Sequence, residues 1–139
     1  MRLWHYKLIP FLPKSQLVAQ WRELNSIYKD QPKHILINYV YEYDRLELHI
    51  YSAIVEHEML KRNIRFKYSE YYYDFFKDVL NRGLYRRIAE VLHPFENHHN
   101  NRYLLQCFYN LQEKYDRGQK DFSEELFEKL TDYIKWIDD

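Results

Sequence analysis

Turn-forming residues are scarce in this chain, with only 2 glycines and 4 prolines among 139 residues. That disfavours the tight turns of a many-stranded protein and favours long helices. A single cysteine, Cys107, excludes an internal disulfide and any cysteine-rich metal site, and fits a reducing compartment; the cytoplasm is the expected location. No run approaches the ~20 uninterrupted apolar residues of a membrane span. The first residues include Arg2, His5 and Lys7, which do not suit a secretory leader. The formal net charge is zero, against a general polyanion binder. The charge is unevenly spread, however. Residues 1–67 hold 11 Lys/Arg against 7 Asp/Glu, whereas 68–139 hold 10 against 14, so a basic half faces an acidic one.

What is abundant is apolar and aromatic. Apolar residues make up 46% and aromatics 19%, including 15 tyrosines, enough to build a core at this length. Tyrosine pairs an apolar ring with a hydroxyl and so serves core, interface or base stacking alike.

The pattern predicts an all-α, single-domain bundle of about five to six helices, spanning 1–139, with an N-terminal arm reaching the active site. Pro13 can open a helix running to about Tyr28, with Leu17, Trp21, Leu24 and Tyr28 on its apolar stripe. Arg22 and Glu23 fall off that stripe, on a flank with Gln16 and Gln20. Pro32 forbids continuation. "ILINYVYEY" (35–43) has strand-like composition but no partner strand, so an extended segment or irregular helix start is expected. Asp44, with Glu47 as capping-box partner, opens a central helix to about Arg62. Leu46, Ile50, Ala53, His57 and Leu60 mark one face of it; Leu48, Val55 and Met59 mark the other. Helices are then expected over 70–80, 84–92, Arg102 to about Tyr115, and Ser123 to about Ile137. On the last, Phe122, Leu126, Leu130 and Trp136 suit either a dimer face or a cover over the core.

Phosphate-loop, HExxH, CxxC and GxSxG signatures are all absent. His49 and His57 read as core or interfacial histidines. In "HPFENHH", His93, His98 and His99 read as solvated loop histidines, with zinc binding the sharper alternative. Cys107 reads as core. Neither a metal nor a cofactor is expected. The chain start remains: an α-amine, a class of group that titrates near ~7.7–8.0 and is nucleophilic when neutral, beside a helix bearing Glu23. Arg2 is too large for ordinary methionine removal, so Met1 is expected to keep that amine.

"MRLWH", "LIPFLPKSQL" and "QLVAQWREL" resemble the bacterial branch of the pyrimidine-dimer DNA glycosylases of the phage endonuclease V type. Leu8, Leu12, Leu17, Ala19, Arg22, Glu23, Leu24, Lys33 and His34 match without a gap. After one gap, so do Tyr43, Asp44, Leu46, Glu47, Leu60, Lys61 and Arg62. The resemblance covers 1–67, the catalytic half; residues 68–139 diverge. It implies that an N-terminal amine, here that of Met1, attacks the sugar carbon bearing the damaged base. An imine and β-elimination follow, with Glu23 as the essential carboxylate. Arg2, Arg22, Lys33 and His34 fall at DNA-binding positions, and the implied partner is damaged double-stranded DNA. Met1 stands where the family has threonine, Gln16 replaces a histidine and Ser26 an arginine. The acidic "KWIDD" end lacks the family's aromatic-basic tail. A non-catalytic nucleic-acid or protein-interaction module is the alternative supported by the neutral charge; a helical metalloprotein built on His93, His98 and His99 is a third.

Overall fold

In the computed structural model, residues 1–81 and 93–138 are described. Their regular elements are all helical. After an arm over residues 1–5 comes a 3-10 turn, Tyr6–Phe11. The α-helices are α1 (Lys14–Asp30), α2 (Arg45–Lys61), α3 (Glu70–Phe75), α4 (Lys77–Asn81), α5 (Asn101–Asp116) and α6 (Glu124–Asp138). The segment 35–43 forms a turn and a short 3-10 helix, Asn38–Glu42, the irregular helix start expected from its sequence. The expected helix over 84–92 lies outside the described residues.

Local chemistry accounts for the helix ends. Pro13 is the N-cap of α1; Gln31 closes it in the left-handed region (φ 46°), donating its N–H to Ile27 C=O, and Pro32 follows. Asp44 caps α2 by accepting from Leu46 N–H, and Asn100 caps α5 by accepting from Tyr103 N–H. Leu126 N–H donates to Ser123 Oγ at the start of α6. Glu47, expected to complete a capping box, reaches across to accept from Phe95 N–H at 2.9 Å. Phe95 is buried at φ 59°, so that bond holds a loop whose backbone is costly for a side chain larger than glycine.

Two expectations need correction. The helix predicted over 70–80 breaks at Phe76. Phe75 and Phe76 are both buried with perpendicular rings, and both pack on Tyr28. The break is local, since Phe76 N–H still donates to Tyr72 C=O and Leu80 N–H to Phe76 C=O. On α2, Ala53, His57 and Leu60 are exposed rather than lining a core face. Ser52 and Glu58 take buried places through polar bonds, to Tyr28 Oη and to Arg62. Arg62 also donates to the carbonyls of Leu12 and Pro10, clamping the 3-10 turn to the end of α2. Apolar spacing therefore misplaces that face. Leu17, Trp21, Leu24 and Tyr28 of α1 are buried as the stripe predicts, as are Cys107 and His49. On α6, Leu130 and Ile134 are buried and Trp136 is exposed.

One polar cluster lies between α1, α2 and α3. Tyr68 Oη donates to Glu56 at 3.1 Å, and the hydroxyl of Tyr72 meets His49 Nε2 at 3.0 Å. The second Glu56 oxygen and His49 Nδ1 are buried with no hydrogen-bond partner among the described residues. Burial pushes the Glu56 carboxyl up to about 7. The folded chain thus holds this proton more tightly than the unfolded chain does. The associated stability is full below the unfolded value of 4.5 and is lost as pH rises through about 7. Glu56→Gln removes the titration. Its melting temperature should gain on the parent's as pH rises from about 5 to about 8, then hold a constant lead. A pH-independent difference between the two melting curves would contradict this.

Candidate active site

The chain start is fixed by three helices. From α1, Gln20, a fully buried amide, accepts from Trp4 N–H at 2.8 Å and donates to Arg2 C=O at 3.0 Å. From α2, Tyr51 Oη bridges Trp4 C=O (2.6 Å) and Gln20 Oε1 (2.9 Å). From α5, Tyr103 Oη donates to Leu3 C=O at 2.5 Å. Leu3 and Trp4 are themselves buried. The arm is therefore bonded residue by residue rather than left to fray, as a free terminus would.

Gln20 also donates to Glu23 Oε2 at 3.0 Å, so one side chain joins the arm to the carboxylate. Burial raises the Glu23 carboxyl above its ordinary value. The Met1 amine, the Arg2 backbone N–H, Gln20 and the Arg22 guanidinium oppose that rise. Gln20 thereby places the start of the arm at Arg2 beside Glu23, with Met1 partly exposed. None of the ion pairs of 4.0 Å or less among the described residues joins the Met1 amine to Glu23.

The expected DNA-contact residues divide. Arg2 is half-buried, its guanidinium 5.8 Å from the centre of the Tyr103 ring. Arg22 is exposed next to Glu23. Lys33 and His34 are exposed beyond the end of α1: the Lys33 ammonium lies over Tyr41 at 4.8 Å, and His34 N–H donates to Asn38 Oδ1 at 2.7 Å. No described contact links those two to Met1 or Glu23.

The histidine loop corrects its expectation. His99 is buried, not solvated. Its Nδ1 accepts from Tyr6 N–H, which leaves the proton of the neutral ring on Nε2 to meet Tyr39 Oη at 2.7 Å. Burial depresses its pKa to about 2, so it carries no charge at neutral pH. His98 stacks on Tyr39 and bonds Tyr43 Oη; His93 bonds Tyr6 Oη. Each histidine thus pairs with a tyrosine, and no metal-holding group of three such side chains forms among the described residues. His5 follows the same logic. Its Nδ1 accepts from Lys7 N–H and its Nε2 donates to His99 C=O, with the pKa lowered to about 4 by burial.

Sequence reasoning missed the roles of Gln20, Tyr51 and Tyr103. Gln20 sits three residues before Glu23, a spacing that places both on one helix flank, but nothing marked it as buried. Gln20→Leu keeps the volume and removes every bond, leaving Trp4 N–H and Arg2 C=O without their partner. The expected cost is about 2 kcal/mol or more, read as a lower urea midpoint at unchanged slope. Gln20→Leu at the parental midpoint would show that the arm is held by its apolar contacts alone.

The model of one protein family, described as pyrimidine dimer DNA glycosylase, matches residues 1–72, just over half the chain. No significant match occurs among curated proteins or among solved structures. The matched span contains the arm, all of α1 and α2, and both Met1 and Glu23. The chain belongs to the pyrimidine dimer DNA glycosylase family.

Proposed function

We propose that this chain is a DNA glycosylase with an associated AP lyase activity, acting on pyrimidine dimers or related lesions in duplex DNA through the Met1 α-amine. The observation that carries the reading is Gln20 bonding both Arg2 C=O and the half-buried Glu23 carboxylate, which ties the start of the arm to the helix that bears the acid.

The chemistry follows from those groups. The neutral amine attacks C1′ of the damaged nucleotide, and the bond from C1′ to the base breaks with its electron pair leaving on the base. Loss of a proton from the attacking nitrogen and opening of the sugar ring give an imine between enzyme and sugar. Removal of a C2′ proton then expels the 3′ phosphate by β-elimination. Water hydrolyses the imine and restores the amine. Glu23 stabilises the cationic sugar and carries the protons. Its partial burial raises proton affinity above that of an exposed carboxylate, which suits a proton acceptor. Arg2, Arg22, Lys33 and His34 contact the DNA in this reading. The lesion has to leave the stack for the amine to reach C1′.

Borohydride added to the protein with abasic or dimer-containing duplex should trap a covalent adduct, and peptide mapping should place it on Met1. Glu23→Gln should bind that duplex about as well as the parent yet cut it at least ~10²-fold more slowly in single turnover, the lower range for losing an acid-base group. Thermal melting controls for folding. Duplex binding without any trapped adduct would leave the non-catalytic module as the reading.

A further inference from the structure

A second feature lies on the solvent side of α1, next to Glu23 in sequence. It is an open groove of about 470 Å³ lined by Trp21, Arg22, Asn25, Ser26 and Lys29 of α1 and by Lys67, Ser69 and Tyr71. Three cations from two chain segments line it, and no acidic side chain does among the described residues. Neither Arg22, Lys29 nor Lys67 belongs to any of the ion pairs of 4.0 Å or less among the described residues. A neutral protein that gathers three such cations along one trough has built a local anion-binding surface.

The polar lining is braced from within. Ser69 Oγ donates to Asn25 Oδ1 at 3.3 Å, and Asn25 Nδ2 donates to Trp21 C=O at 2.8 Å. Ser26 Oγ donates to Arg22 C=O at 3.2 Å. The Ser69–Asn25 bond couples the 67–71 segment to α1, and the other two orient Asn25 and Ser26 on the helix. The Lys29 ammonium lies 5.6 Å from the centre of the Tyr71 ring, so the aromatic face holds that charge inside the trough. Lys67 also lines the adjoining hollow with Arg65, which extends the basic track. From Arg22 to Lys29 is seven residues, about 10 Å at 1.5 Å per residue.

We infer that this groove binds backbone phosphates of the DNA strand beside the lesion, with Lys29 and Lys67 as its cations. The inference rests on the DNA reading of the Met1–Glu23 site. It adds a contact that carries no base or lesion information, because phosphates are common to every nucleotide. Arg22 joins the two regions: its neighbour Glu23 faces the arm, and its own side chain opens the trough.

The test is the salt dependence of binding to a lesion-containing duplex and to an undamaged duplex of the same sequence. Parent, Lys29→Gln, Lys67→Gln and the double variant are compared, with Lys120→Gln as a control for one lost surface charge. The double variant should flatten the log–log salt slope by about 1.8, at about 0.9 per phosphate contact, and weaken both duplexes equally. Lys29→Arg and Lys67→Arg should restore the slope, which separates charge from folding. A double variant with the parental slope, or one matched by Lys120→Gln, overturns the groove while leaving the active-site reading standing. A parent that binds neither duplex overturns both.

Discussion

The structure depends on one amide. Gln20 has two N–H donors and an oxygen with two lone pairs, and all are used: Arg2 C=O and Glu23 on one side, Trp4 N–H and Tyr51 Oη on the other. A buried amide is tolerated only when saturated in this way. The same saturation fixes its rotamer, so the arm and the carboxylate share one reference point. A hydrophobic residue there could pack equally well but could not hold two polar partners in register. The position is where core packing and site geometry become the same constraint.

The helices were legible in the sequence wherever a local signal existed. Pro13 and Pro32 bracket α1, Asp44 opens α2, Asn100 opens α5 and Ser123 opens α6, because capping depends on residues a few positions apart. The apolar stripe of α1 was equally readable. Illegible were features decided by distant partners. At the α3–α4 break Phe75 and Phe76 both pack on Tyr28, some fifty residues earlier. The buried face of α2 turns because Ser52 and Glu58 find polar partners, which spacing cannot show. His99 reads as a loop histidine until Tyr6, Tyr39 and His5 close around it.

The candidate site divides along the same line. Met1, Arg2 and Glu23 could be named because the motifs carrying them are contiguous or nearly so. That the arm is held against the core depends on Tyr51 and Tyr103, whose hydroxyls are interchangeable in sequence with thirteen other tyrosines. Aromatic abundance hid the informative members. Their separation from the arm, 47 and 100 residues, lies beyond any periodicity argument.

That separation has a consequence for the order of events in folding. Helices α1, α2 and α3 meet through comparatively short loops, whereas His5–His99 closes a span of 94 residues and Leu3–Tyr103 one of 100. Long closures cost more entropy and contribute late, after the local helices have formed. Topology accordingly favours docking of the arm onto α5 after the local helices have formed. A chain whose long closures have not formed lacks the bonds from His99 and Tyr103 that hold the arm.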